Sequence, residues 1–244
     1  MTVHLQQDQI LLEVDRSNQE EIQAHFDRYI IMEDVEIIDL SEEWSIFELH
    51  GKGTWEVLSL SPLPWFHHVA WKSGFASSNL SLGCAGVTLL VPSTETVAFE
   101  EGSLQEYECL RVANGFPKWG VDMGPDELPM EAGLESLAIS YTKGCYLGQE
   151  VILRVRNFGE PPKQLVQLRG EALSVGVEIQ SGDETVGTVT SVSKGIALGY
   201  VKKGWKDPGA TVVVGGTSVV VGSLPWQKDA VRPPDREQGT ISKV

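Results

Sequence analysis

The chain is poor in cysteine, in positive charge and in long apolar runs. Of its 244 residues only Cys84, Cys109 and Cys145 are cysteine. None forms a C-x-x-C pair, and three is few for a disulfide framework. Such usage fits a reducing cytosol. Lysine and arginine total 19 against 34 aspartate and glutamate, a net charge of −15. An acidic balance of this size gives no general attraction for a phosphate backbone or an anionic membrane surface, so neither nucleic acid nor membrane is expected as a partner. No apolar run approaches the roughly 20 residues of a spanning helix. Met1 to Gln9 is polar, unlike a secretory leader. The G-x-G-x-x-G, Walker A and H-E-x-x-H patterns are missing. His67-His68 is adjacent, and adjacent side chains diverge, so no metal site is expected there. Asn79-Leu80-Ser81 matches a glycosylation sequon, read as chance without a leader.

What is present divides at Pro161-Pro162. Before it, Ile10 to Val14 is apolar and β-prone, and Ser17 with Glu20 has the spacing of a capping box. Ile22, Phe26, Tyr29 and Ile30 follow at helical spacing. Val35 to Leu40 and Trp44 to Leu49 read as strands, Gly53 to Leu60 as a short helix, and Val87 to Val91 as a strand. The resulting β-α-β-β-α-β order predicts a ferredoxin-like arrangement. Leu104 to Val112 reads as a helix ended by Gly115. Gly115 to Pro129 reads as an ordered loop, with Phe116 and Trp119 to bury. After the prolines come six short β-rich runs: Gln164 to Leu168, Val177 to Ile179, Val186 to Val189, Ile196 to Val201, Thr211 to Val214 and Thr217 to Val221. Gly182-Asp183 and Gly215-Gly216 are placed as hairpin turns. These runs predict a small antiparallel barrel. The fold class is therefore α+β, with one domain over 1–162, a C-terminal β-barrel over 163–227 and a flexible tail over 228–244.

The stretch that carries chemistry is Lys143-Gly144-Cys145-Tyr146-Leu147-Gly148-Gln149-Glu150. Glycine lets the backbone turn sharply or approach a ligand closely. A thiolate is the reactive form of cysteine, and a nearby ammonium favours it. Cys145 is thus the candidate reactive thiol, with Lys143 as its activator. Cys84 and Cys109 read as small packing residues, and Cys145 is expected to be alkylated before Cys84. Gln149 and Glu150 could point into one crevice, or Glu150 could be a surface acid. Arg154 and Arg156 would share one face of a strand, to hold an anion or simply to line a solvated face. The octet precedes the domain crossing closely, so it is expected to line a cleft that also exposes part of the Gly115 to Asp122 loop.

The octet resembles the K-G-C-[FY]-x-G-Q-E signature of the YgfZ-type folate-binding proteins, relatives of the glycine-cleavage T-protein, an aminomethyltransferase. Three further groups of segments resemble the same family. Leu110 to Asp122 resembles R-[IV]-E-A-G-x-P-x-x-G-x-D, and Leu128 to Leu134 resembles L-P-x-E-A-G-L. Gly187 to Ser191 and Ala197 to Val201 resemble its barrel segments, and Arg28 to Ile30 and Val35 to Asp39 its ferredoxin-like part. The resemblance implies the folate-binding fold of the aminomethyltransferases followed by the barrel. It also implies a folate, tetrahydrofolate or another form, near Trp119, Tyr146, Gln149, Glu150, Arg154 and Arg156. Two departures stand out. Ala113 occupies the position of a glutamate that holds the pterin in the T-proteins, so folate binding is expected to be weak and Ala113→Glu to strengthen it. The family's segment ahead of Ile10 is expected to be absent.

The function implied is that of an accessory protein in iron–sulfur cluster assembly or repair, acting through a reactive cysteine in the cytosol. Its partners would be a folate-like small molecule and iron–sulfur assembly or client proteins. Three cysteines cannot hold a cluster alone, since four ligands are usual. The alternatives are a tetrahydrofolate-dependent one-carbon (aminomethyl) transferase and a non-catalytic interaction subunit completed by another chain.

Overall fold

The computed structural model describes residues 1–229. The expected tail over 228–244 therefore lies outside the described residues except at its first two positions. The chain opens on a hairpin of β1 (Thr2–Leu5) and β2 (Ile10–Glu13). A 3-10 turn at Arg16–Asn18 leads into α1 (Gln19–Tyr29). Asp15 caps the 3-10 turn, and Asn18, not Ser17, is the N-cap of α1, without a side-chain bond. The Asp15 carboxylate accepts from the Ser17 N–H at 2.9 Å and from its hydroxyl at 2.5 Å, which occupies the serine that would otherwise cap.

Next come β3 (Trp44–His50), α2 (Thr54–Val57), β4 (His68–Trp71), β5 (Gly74–Asn79) and β6 (Gly86–Pro92). The four strands form an antiparallel sheet in the order β3-β6-β5-β4. Three details differ from the expected order. Ile10 to Val14 pairs with the first strand of its own hairpin and stays out of this sheet. Val35 to Leu40 is irregular; Val35 and Ile38 are 59% and 63% exposed, so no packed face fixes them as a strand. The β4–β5 hairpin escapes sequence reading because Gly74–Asn79 is rich in serine and alanine. That strand is buried nonetheless, and its polar groups are satisfied internally, as where the Ser78 hydroxyl donates to the Pro64 carbonyl at 2.5 Å.

Helix α3 (Leu104–Asn114) has a full capping box: Ser103 and Glu106 bond reciprocally to each other's backbone N–H. It ends, as expected, at Gly115, whose φ of 76° is left-handed. A short α4 (Glu135–Ala138) and α5 (Gln149–Phe158) then lead to the prolines.

The six β-rich runs are the strands of a closed barrel. These are β7 (Lys163–Arg169), β8 (Glu178–Ser181), β9 (Glu184–Ser193), β10 (Ile196–Lys202), β11 (Thr211–Val214) and β12 (Thr217–Gly222), followed by α6 (Trp226–Asp229). They close in the order β10-β7-β12-β11-β8-β9. Gly182-Asp183 and Gly215-Gly216 make the predicted turns. Closure removes exposed strand edges, and the interior fills with valine, isoleucine and leucine, including Leu168, Ile179, Val186 and Val212. Gly187 sits where β9 crosses β10, and a Cβ there would lie 1.9 Å from the Tyr200 carbonyl oxygen. Gly187→Ala is expected to destabilise by about 1–3 kcal/mol, read as a lower urea midpoint with an unchanged slope.

Helix α3 fastens the barrel to the first half. Gln167 on β7, 1% exposed, donates through Nε2 to the carbonyls of Val112 and Ala113 at 3.1 and 3.0 Å, satisfying the end of the helix. Arg111, also 1% exposed, donates to Asp122 at 2.5 Å and to the Ser191 hydroxyl on β9 at 2.9 Å. Asp122 in turn accepts from the Thr190 and Ser191 hydroxyls at 2.6 and 2.7 Å and from the Lys118 N–H at 3.0 Å. An apolar cluster of Leu80, Val112, Leu165, Leu198, Leu224 and Trp226 fills the space beside this network.

Candidate functional site

The octet is an exposed loop running into α5. Gly148, with φ at 82°, is the N-cap of that helix, a left-handed position that glycine adopts without strain. Cys145 is exposed. The Lys143 ammonium lies 4.8 Å from the centroid of the Tyr146 ring, so its charge is engaged over that π-face. The Tyr146 hydroxyl is buried and has no partner among the described residues. Below the loop, the Arg156 guanidinium stacks 3.6 Å over the Tyr141 ring, and the Tyr141 hydroxyl donates to Glu135 on α4 at 2.7 Å. Burial, and then the bond to the Glu135 carboxylate, push the Tyr141 phenol up to about 12.

Helix α5 changes how the neighbouring charges are used. On a helix, residues two apart face different directions while residues four apart meet. Arg154 therefore pairs with Glu150 at 3.1 Å, and Arg156 turns away to Tyr141; the two arginines share no face. Glu150 is 86% exposed, the surface acid of the two expected alternatives, and does not point with Gln149 into a crevice. An ion pair this exposed contributes little to stability. The concavity beside Arg156 is lined by Met130, Glu135, Val155, Gly159 and Gln164, without the octet or the Gly115 to Asp122 loop. Trp119 stands elsewhere: it is 39% exposed, not buried as expected, and its indole donates to Asn18 at 3.0 Å.

Comparison with known proteins gives this geometry its context. No family model matches the chain. It is 29% identical, over 89% of its length, to "Putative transferase At1g60990, chloroplastic" of Arabidopsis thaliana, covering 56% of that protein. It is 29% identical, over 65% of its length, to the mitochondrial iron-sulfur cluster assembly factor IBA57 of Homo sapiens, covering 45% of that protein. It is 26% identical, over 78% of its length, to an aminomethyltransferase of Rubrobacter xylanophilus, covering 59% of that protein. The chain thus spans about half the length of the curated relatives it matches. Its fold matches glycine cleavage system aminomethyltransferase T from Bartonella henselae at a TM-score of 0.71 and 21% identity, covering 86% of this chain and 66% of that one. The chain is thus similar in sequence to iron–sulfur cluster assembly factors and to an aminomethyltransferase, and in fold to an aminomethyltransferase, the likeness expected of a YgfZ-type protein.

Likeness to aminomethyltransferases does not by itself supply a folate cradle here. Of the residues expected to hold the pterin and its tail, Trp119 is bonded to Asn18, and Glu150 and Arg154 are paired on an exposed helix face. Arg156 is stacked on Tyr141, and Ala113 offers no acceptor side chain. Of that set, the orphaned Tyr146 hydroxyl and the half-buried Gln149 amide are left for a ligand, and two groups on one loop are too few to orient a pterin and hold its tail. The residues present do not fit a tightly held folate. Calorimetric titration with tetrahydrofolate is expected to show micromolar affinity or poorer, about −8 kcal/mol at most; nanomolar binding would contradict this.

Sequence reasoning missed two constellations. Arg111 and Asp122 were legible as family positions, but their burial against β9 was not. Glu48, His50 and Cys84 come together on the four-stranded sheet; the i, i+2 spacing of the first two was the only sequence signal, and Cys84 joins them only through the fold.

Proposed function

We propose that this chain is an accessory factor in iron–sulfur cluster assembly or repair, and that Cys145 is the thiol that meets the cluster. The observation that carries this is the exposed Cys145 in the Lys143 to Glu150 loop, on a chain related to cluster assembly factors of mouse and human. The cluster is cargo. A single exposed thiolate is a soft ligand suited to iron–sulfur chemistry, yet supplies one ligand where four are usual. The cluster is therefore shared with, or passed to, an assembly or client protein. All three cysteines are free, which supports a reducing compartment; we place the chain in the cytosol, with mitochondrion and chloroplast, named for its relatives, as the alternatives. Among the described residues no helix is long and apolar enough to cross a membrane. The division proposed is a folate-binding-like part over 1–162 and the barrel over 163–227.

Two further readings each have support. Likeness to aminomethyltransferases favours a one-carbon transferase, and tight tetrahydrofolate binding would select it. Exposed apolar side chains on the first hairpin, with Val3 at 49%, Leu5 at 50% and Ile10 at 63%, favour an interaction subunit. The deciding experiment compares the activity of an iron–sulfur enzyme with that of a cluster-free enzyme in cells lacking the encoding gene. The first should fall and be restored by the chain while the second is unchanged. Equal activities with and without the gene would overturn the proposal.

A further inference from the structure

A second thiol sits in a more constructed setting than Cys145. His50 ends β3, and Glu48 stands two residues earlier on the same face of the strand. Cys84 lies between β5 and β6, and its sulfur is 3.8 Å from His50 Nδ1. The other ring nitrogen, Nε2, faces Glu48 Oε2 at 3.4 Å and the Ser81 hydroxyl at 3.4 Å. Sulfur on one nitrogen and carboxylate on the other is the order in which a nucleophile, its imidazole partner and an orienting acid are arranged.

The ring is held from behind. Asn79, 9% exposed, accepts through Oδ1 from the Ser81 N–H and hydroxyl at 3.4 and 3.3 Å, and donates to the Thr88 hydroxyl. Gly86 is the partner of His50 in the β3–β6 register, and a Cβ there would lie 2.6 Å from His50 Nδ1. The missing side chain is what lets the imidazole lie flat against β6. The His50 side chain is 11% exposed and Cys84 is half-buried, so the pair is shielded yet reachable. Burial by itself would lower the imidazole, but bonding and charge from Cys84 and Glu48 outweigh it and push it up to about 9. Sulfur on one side and carboxylate on the other thus favour the protonated ring. The titratable groups facing it are Glu48 on its own strand and Cys84 on the loop; Tyr107 on α3 faces Glu48 in turn.

We propose that Cys84, paired with His50 and oriented by Glu48, is a reactive thiol that undergoes exchange with low-molecular-weight disulfides. The Cys84 thiolate attacks one sulfur of the disulfide, a new S–S bond forms as the old one breaks, and the leaving thiolate takes the proton of the His50 imidazolium. Cys84 is oxidised, the departing thiol is reduced, and no further reagent is consumed. The site is independent of the role given to Cys145.

The test uses the intact chain carrying Cys145→Ser, incubated with oxidised glutathione and mapped by mass spectrometry. Cys84 should form the mixed disulfide. Cys109, similarly half-buried and bonded to the Ser193 hydroxyl instead of a histidine, is the internal comparison and should lag. His50→Gln should slow the Cys84 reaction about tenfold or more near pH 6.5. The gap should narrow toward pH 9, as the imidazolium of the unmodified site loses its proton. Glu48→Gln, checked by circular dichroism, should give a smaller slowing and serves if His50→Gln does not fold. Cys84 reacting no faster than Cys109, or at an unchanged rate in the folded variants, would overturn the proposal.

Discussion

Cys145→Ser is expected to abolish restoration of iron–sulfur enzyme activity while leaving the fold as it is. The side chain is exposed, so its loss should change stability by no more than about 0.5 kcal/mol. Serine keeps the shape and removes the soft sulfur, which is the property iron and sulfide require. Cys84→Ser and Cys109→Ser should both still restore activity, because each thiol is half-buried against a named partner away from the octet. The measurement is enzyme activity in the gene-deleted cells, normalised to the amount of chain present, alongside thermal melts of the purified variants. Full restoration by Cys145→Ser would remove the thiol from the mechanism and leave the interaction reading in its place.

The second large effect concerns stability. Arg111 and Asp122 are both almost wholly buried and bonded to each other, and removing one partner leaves the other's buried charge less well compensated. Asp122→Ala is expected to cost about 3–5 kcal/mol, a fall in melting temperature of roughly 6–20 °C for a chain of this size. Glu108, at 2.7 Å from Arg111, remains as a partner and keeps the loss toward the lower end. Arg111→Met should cost a similar amount. The double variant Arg111→Met with Asp122→Leu should cost clearly less than the two singles combined, since both charges leave together. Additive losses in urea titrations would mean that the pair does not act as a unit.

The barrel and the end of α3 were the legible parts of the fold. Three of the barrel strands, β9, β11 and β12, are rich in valine and threonine, bounded by glycine turns, and alternate in burial as a closed barrel requires, so local pattern and final structure agree. Gly115 was equally readable, since a left-handed helix end selects glycine. The β4–β5 hairpin was not, because Gly74–Asn79 owes its strand to hydrogen bonds and pairing with β6 rather than to its own propensity. At the site, the octet was visible as a motif, but not that α5 begins at Gln149 and sends Arg154 and Arg156 in different directions. The Cys84 pair was invisible for a simpler reason: 34 residues separate the sulfur from its histidine, and only strand pairing brings them together.

The exposure of Cys145 carries a consequence for recognition. A sulfur that stands free on a loop has no walls of its own with which to sort one visitor from another. Whatever selects the right encounter must be contributed from the other side, by a hollow in the approaching protein that the loop can enter. Discrimination among clients would then be a property of the pairing. It should change when the partner's surface is altered, even though no residue of this chain has been touched.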